Sequence, residues 1–243
     1  MLLHFFGTKG YVEEESPAHR GHSAWTLEVG GFRLLCDFGQ NRKGMLSKIG
    51  PDAIFVSHAH PDHAWGLEEG TDLPVYASEV THEITRDLPI ERRVTLEPGR
   101  AVRVGPLGLT AFPVVHSVRC PCIAVRITAP EGSVVYSGDV IAFEDPEAAL
   151  SGASLYVGDG STLKGSLVRR HASGVLIGHT TVSAQLGWLA RYRVPRAIFS
   201  HFGKGPIEMG NAPLREALRA LAAGKAPGCE VTAARDGMSW GQR

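Results

Sequence analysis

The sequence predicts an α/β domain in which helices pack outside paired sheets, and three observations carry that expectation. Short β-branched or apolar runs closed by turn residues recur along the chain, helical periodicity is confined to a few segments, and a strand-rich first half gives way to strand–helix–strand–helix. The length of 243 residues fits one large domain at roughly 100–200 residues each. No Gly/Ser tract, low-complexity run or short-period repeat divides the chain, so residues 1–243 are expected to form a single domain.

Taken in order, the apolar runs place strands at 2–6, 24–29, 33–38, 53–57, 109–115, 123–128, 133–137, 155–157, 175–177 and 197–200. Helices are expected at 61–68, 78–88, 181–193 and 212–223. The last two are the clearest. Val182, Leu186 and Leu189 recur at helical spacing before Pro195, as do Leu214, Ala217, Leu218 and Leu221 before Gly224.

Composition narrows the function classes. With 43% hydrophobic and 21% charged residues, the chain can bury a sizeable core, which excludes disorder, collagen and coiled coil. Twenty-five Lys+Arg balance twenty-five Asp+Glu, so no overall field draws it to nucleic acid or an anionic membrane. Arg126, Asp139 and His179 interrupt the apolar stretches well short of the roughly 18–20 residues a bilayer span needs. The opening Met1-Leu2-Leu3-His4-Phe5-Phe6-Gly7 lacks a charged n-region and a long apolar stretch, so a cytoplasmic protein is expected. The four cysteines are read as reduced, and Cys120-Pro121-Cys122 as packing rather than a zinc site, because no second pair completes four ligands.

Histidine is the unusual component, eleven in all. Strand 53–57 runs into His58-Ala59-His60-Pro61-Asp62-His63, strand 109–115 into His116, and strand 133–137 into Gly138-Asp139. Strand 175–177 is followed by Gly178-His179 and strand 197–200 by His201. Five strands would thus deliver polar groups to one rim. The imidazole and carboxylate mixture suits zinc, manganese or iron. Alternation lets His58 and His60 share one ion while Asp62 and His63 face a second position, and paired ions can activate one water for hydrolysis. Capping and surface histidines are the bland alternative, but polar crowding of this density is costly without a cation.

His58-Ala59-His60-Pro61-Asp62-His63 resembles the HxHxDH signature of the metallo-β-lactamase fold superfamily, and His116, Asp139 and His201 follow in that superfamily's order. The resemblance runs from Phe6-Gly7-Thr8-Lys9-Gly10 through Leu34-Leu35-Cys36-Asp37-Phe38-Gly39 to residues 231–238. It implies an αββα sandwich of two mixed β-sheets flanked by helices. It also implies one metal on His58, His60 and His116, a second on Asp62, His63 and His201, and Asp139 between them. Bridging Asp139, where true β-lactamases typically carry cysteine, points to the phosphodiesterase and nuclease side. Gly178-His179-Thr180-Thr181 before a helix is similar to ribonuclease Z and to the cyclic-phosphate phosphodiesterases of phosphonate breakdown.

The function expected is therefore a dinuclear metal-dependent hydrolase, with zinc as the default ion and manganese or iron as alternatives. Its substrate would be a small cyclic phosphate or a nucleic-acid-derived phosphodiester, cleaved through a metal-bridging hydroxide. Asp62 and His179 are the expected catalytic residues, His179 as general acid or charge stabiliser, with helix capping as its structural alternative. Ribonuclease Z carries a long tRNA-gripping arm before the bridging aspartate, and the short stretch from His116 to Asp139 has no room for it, which counts against tRNA. The phosphonate-pathway enzymes carry a cysteine-rich zinc site near the N-terminus, whereas residues 7–22 contain no cysteine. Lactone or thioester hydrolysis and an armless RNA-processing nuclease are the alternatives. His19, His22 and Lys204 are candidate substrate residues, Arg169, Arg170 and His171 read as a solvated loop, and Asp159 and Ser161 as supports of the site. A homodimer would help build a substrate groove, although no sequence feature calls for one.

Overall fold

Alternating side chains on the central strands feed different apolar layers, and that alternation sets the architecture. The computed structural model describes residues 1–241. A first sheet takes β1 (Leu2–Gly7), β2 (Ala24–Val29), β3 (Phe32–Cys36), β4 (Ala53–Phe55), β5 (Thr71–Ala77) and β6 (Ile90–Thr95). A second takes β7 (Ala101–Val104), β8 (Leu107–Val115), β9 (Cys122–Ala129), β10 (Gly132–Tyr136), β11 (Ala142–Phe143) and β12 (Leu155–Asp159). A separate hairpin, β13 (Arg169–Arg170) with β14 (Leu176–Ile177), precedes β15 (Arg196–Ser200) and β16 (Glu230–Ala233) of the second sheet, and β17 (Ser239–Gly241) returns to the first beside β1. The helices are α1 (Leu46–Ile49), α2 (Pro61–Ala64), α3 (Glu79–Ile84), α4 (Pro146–Leu150), α5 (Val182–Arg191), α6 (Lys204–Met209) and α7 (Asn211–Lys225).

On β3, Leu34 and Cys36 join the core between the sheets, while Leu35 between them faces the opposite way with Ile54 and Val75. The inter-sheet core also takes Phe5, Trp25 and Phe55 from the first sheet and Leu109, Val125, Ile127 and Val157 from the second. The outer face of the first sheet is covered by Ile49 of α1 and Ala64 of α2. That of the second sheet is covered by Leu186 and Leu189 of α5 and Leu214 and Leu218 of α7. Helix, sheet, sheet, helix is the αββα sandwich expected. Strands β3 to β6 run parallel, as do β10, β12, β15 and β16, so their C-terminal ends collect on common edges.

Several elements differ from the sequence expectation. The run 175–177 is no strand of the main sheet: Leu176–Ile177 pairs only with Arg169–Arg170, and Val175 is 47% exposed. Apolar residues there meet solvent rather than a core, which periodicity cannot distinguish. β5 contains Asp72 and Pro74 and β6 contains Glu91, Arg92 and Arg93, so neither reads as an apolar run, yet both extend the first sheet. The helix expected at 78–88 ends at Ile84, with the Ser78 hydroxyl accepting from Thr81 N–H as its N-cap. That expected at 61–68 breaks after Ala64 into a 3₁₀ turn, Trp65–Glu69. Lys204–Met209 is helical although Gly205 and Pro206 lie in it, because proline fits the first turn, where its missing N–H costs nothing.

Among the described residues no helix is long and apolar enough to cross a membrane. Leu186 is fully buried where α5 meets the second sheet. We expect Leu186→Ala to cost about 2–5 kcal/mol in urea unfolding, and a loss below about 1 kcal/mol would contradict this packing.

Candidate metal centre

The ends of strands from both sheets meet at one edge. β4 runs into Ser57 and His58, β8 into His116, β10 through Ser137 and Gly138 into Asp139, and β15 into His201, while β12 ends on Asp159 itself. Gly138 adopts a left-handed φ of 56°, and a side chain there would come within 2.9 Å of Cys122 Sγ and the Ser57 Cβ. The turn that delivers Asp139 therefore requires glycine. Asp37 and His201 hold the same φ of 56° without being glycine, a strained conformation that the surrounding contacts must enforce.

Two donor groups result. Nitrogens of His58, His60 and His116 lie within 4.8 Å of one another and of an Asp139 oxygen, and Asp62, His63 and His201 form a second group of that kind. Asp139 lies between them. Its Oδ2 is 3.6 Å from His58 Nε2 and 3.5 Å from His116 Nε2, while Oδ1 is 3.2 Å from His63 Nε2 and 3.3 Å from His201 Nε2.

Four of the imidazoles are turned by a partner on the far side. The Nδ1–H of His63 donates to Asp37 Oδ2 at 2.6 Å, that of His116 to the Gly178 carbonyl at 2.9 Å, that of His201 to the Ser23 hydroxyl at 2.9 Å, and that of His58 to the Ser57 hydroxyl at 3.0 Å. The four Nε2 lone pairs then point inward, as ligation requires. His60 presents Nδ1 instead, 2.9 Å from His58 Nε2 and 3.3 Å from His116 Nε2. Lone pairs so crowded repel one another unless a cation sits among them. The buried His63 Nε2 and Asp139 Oδ1 also lack hydrogen-bond partners. Orphaned atoms of this kind, in an Asp/His donor set, fit divalent metal ions.

Protonation states agree with ligation at the first group. Burial holds His58 well below the ordinary histidine value and His60 down to about 4, with Asp139 opposing only in part, so both rings are neutral near pH 7. Asp139 is the converse. Burial would raise its pKa, but His201, His63 and His179 outweigh that and keep it ionised well below its usual range.

His179 belongs to neither of these two donor groups, although it lies close enough to Asp139 and His201 for the three to form another. Its Nδ1–H donates to Asp159 Oδ2 at 2.8 Å, which leaves Nε2 to face the cleft. Burial lowers its pKa, but the carboxylates of Asp159 and Asp139 raise it to about 9. The N-cap of α5 is Thr181, whose hydroxyl accepts from Ala184 N–H at 3.0 Å, so the His179 ring is not spent on capping. Asp159 is held in turn by Ser161 N–H and Val140 N–H.

A cleft of about 790 Å³ opens over the centre, lined by His60, Asp62, Asp139, His179 and His201 on its floor and by Tyr11 and Leu167 among its walls. Lys204 lines it too, but its ammonium is paired with Glu14 at 2.6 Å. The other two substrate candidates lie beneath the cleft. His19 is fully buried, joined to Thr8 at 2.8 Å and packed edge-on against Phe202. His22 is 9% exposed beside the Tyr11 ring. Between His116 and Asp139 the chain forms only β9 and the start-to-end run of β10, joined by a tight turn.

The residue that sequence reasoning passed over is Asp37. Fully buried, its carboxylate accepts from Ser57 N–H at 2.7 Å, Ser57 Oγ at 2.8 Å, His63 Nδ1 at 2.6 Å and Tyr136 OH at 2.6 Å. The available signal was an acid closing an apolar strand, the pattern that marks Asp139. We expect Asp37→Ala to weaken divalent-ion affinity by about 10–100-fold, read by competition with a chromophoric chelator. Unchanged affinity would contradict the orienting role.

The family described as the beta-lactamase superfamily domain matches residues 36–202. A metal-dependent hydrolase of Pyrobaculum aerophilum is 29% identical over 140 residues, 52% of this chain and 62% of its own length. A ribonuclease Z of Bradyrhizobium diazoefficiens is 27% identical over 141 residues, 47% of this chain and 46% of that protein. The chain thus spans less than two thirds of the relatives' length. Among solved structures, a diphosphatase of the PhnP family superposes with a TM-score of 0.74 at 17% identity, covering 98% of this chain and 96% of that one. That likeness shows the shared fold. With 36–202 carrying the HxHxDH run and every strand end that builds the centre, the chain belongs to the beta-lactamase superfamily.

Proposed function

We propose that this protein is a metal-dependent phosphodiesterase holding two divalent ions, with a small cyclic phosphate or nucleic-acid-derived phosphodiester as substrate. The observation that carries the reading is His179: an imidazole outside the two groups of three, oriented by Asp159, lining the cleft together with Asp139 and His201. The diphosphatase and ribonuclease Z named among the similar proteins support phosphate chemistry. His58, His60 and His116 would hold one ion, Asp62, His63 and His201 the other, and Asp139 would serve both.

Ions bound there would supply Lewis-acid charge to the phosphoryl oxygens and water of lowered pKa. The chain supplies the rest. Asp62 presents its carboxylate to the cleft and accepts a proton from the attacking water as the new P–O bond forms. The His179 imidazolium donates from Nε2 to the departing oxygen as the other P–O bond breaks, and Asp159 keeps the ring aligned and stabilises its charge. The cleft walls, Tyr11 and Leu167, confine the ester groups. No protruding arm rises between His116 and Asp139, which favours a small substrate over tRNA.

Leaving-group chemistry tests the acid role. A sugar alkoxide leaves poorly without a proton, whereas p-nitrophenolate leaves readily. We expect His179→Ala to lower kcat for adenosine 2′,3′-cyclic phosphate by about 10²–10⁴, and that for bis(p-nitrophenyl) phosphate by much less. Because the imidazolium is the working form, wild-type kcat/KM on the cyclic substrate should fall as pH rises through the His179 pKa. In the chain alone that pKa is about 9, and cations in the centre would draw it lower. His179→Ala should lack that alkaline fall. Equal losses on both substrates with an unchanged pH profile would remove His179 as the acid.

A further inference from the structure

A second cleft of about 560 Å³ adjoins the first and shares His60, His179, Ser166 and Leu167 with it. Its character is different. Beyond the shared residues it is lined by His116, Ser117, Val168, Arg169, Ile177 and Gly178, and no carboxylate borders it among the described residues. The Arg169 guanidinium makes no ion pair or hydrogen bond to another described residue. Its neighbour Arg170, by contrast, is occupied with the Gly174 carbonyl at 2.7 Å. Lys204, the cation of the first cleft, is neutralised by Glu14. Arg169 is thus the free cation beside the centre among the residues lining either cleft.

Its position is set by the backbone. Arg169 pairs with Ile177 across the β13–β14 hairpin, two residues before His179. The foot of that hairpin is clamped to the centre: Gly178 N–H donates to the His116 carbonyl at 2.9 Å, and the Gly178 carbonyl accepts from His116 Nδ1 at 2.9 Å. Gly178, at a φ of 111°, lies so close to the Leu167 carbonyl that a side chain would collide with it. Glycine at this point therefore fixes the hairpin against the turn that carries His179. From this anchored backbone the exposed Arg169 side chain reaches the cleft, and its guanidinium is a planar fork suited to bidentate phosphate contact.

Resting on the phosphodiesterase reading above, we propose that Arg169 is a specificity residue that binds a second phosphate of the substrate in the cleft bordered by His116. The preferred substrate is then a phosphodiester that carries a further phosphate group, rather than a diester with neutral arms. Arg169 touches no reacting bond in this assignment. It selects and positions.

A matched pair of probes tests this: thymidine 5′-(p-nitrophenyl phosphate) and the same compound bearing a 3′-phosphate. Wild-type enzyme should favour the 3′-phosphorylated probe by about tenfold or more in kcat/KM, mainly through KM. Arg169→Gln should bring that ratio toward one, and Arg169→Lys, which keeps charge but loses the fork, should retain part of it. A wild-type ratio near one, or a ratio unchanged in Arg169→Gln, overturns the assignment. Should neither diester be hydrolysed, the phosphodiesterase reading fails, and calorimetry separates the two claims. Thymidine 3′,5′-bisphosphate binding about tenfold tighter than thymidine 5′-monophosphate, with the difference lost in Arg169→Gln, supports the Arg169 site. Equal binding of the two nucleotides overturns it.

Discussion

One buried carboxylate ties the two halves of the molecule together at the point where the centre forms. Asp37 follows β3 of the first sheet and gathers four donors: the Ser57 amide and hydroxyl and His63 after β4, and Tyr136 at the end of β10 in the second sheet. An acid with no exposure to solvent is costly unless every lone pair is used, and here nearly all of them are. In exchange, the turn carrying His58 and His63 is held at a fixed distance from the strand that leads to Asp139. Its φ of 56° shows that the backbone accepts strain to put the carboxylate there. Two sheets packed only by apolar contact could slide slightly; a four-donor hub between them resists that, and the donor groups depend on their not sliding.

The rest of the site follows from parallel strands. β10, β12 and β15 run side by side, so Asp139, Asp159 and His201 arrive together, and each lies at or just beyond a strand end, where side chains are free of the pleat. Asp159 uses this position to orient His179 rather than to join the donor groups. The division of labour is electrostatic. In the first group burial drives His58, His60 and His116 toward the neutral form, whereas the carboxylates around His63 and His179 outweigh burial and favour their cations.

Much of this was legible because chemistry in the sequence is concentrated at strand ends. The apolar runs leading to His58, His116, Asp139 and His201 are ordinary buried strands, and the αββα layering follows from how they alternate. What stayed illegible has physical causes. Asp37 has no neighbour in sequence to mark it, since its partners Ser57, His63 and Tyr136 are 20 to 99 residues away. β6, with Glu91, Arg92 and Arg93, lies at a sheet edge, where charge is tolerated and apolar patterning fades. The run 175–177 misleads for the opposite reason: Val175 and Leu176 are apolar yet exposed on the β13–β14 hairpin. His19 and His22 were placed in the pocket by their loop, but the Thr8 and Phe202 contacts draw His19 inward, and His22 is buried beneath Tyr11.

The two donor groups that share Asp139 are proposed to hold a pair of ions. Elemental analysis of the purified protein, together with His116→Ala and His201→Ala, tests this most directly. Two equivalents of divalent metal per chain are expected in the native protein and about one in each variant, because each removes a ligand from a different group. Native protein that retains no metal after incubation with zinc, manganese or iron would contradict it, as would full occupancy in both variants.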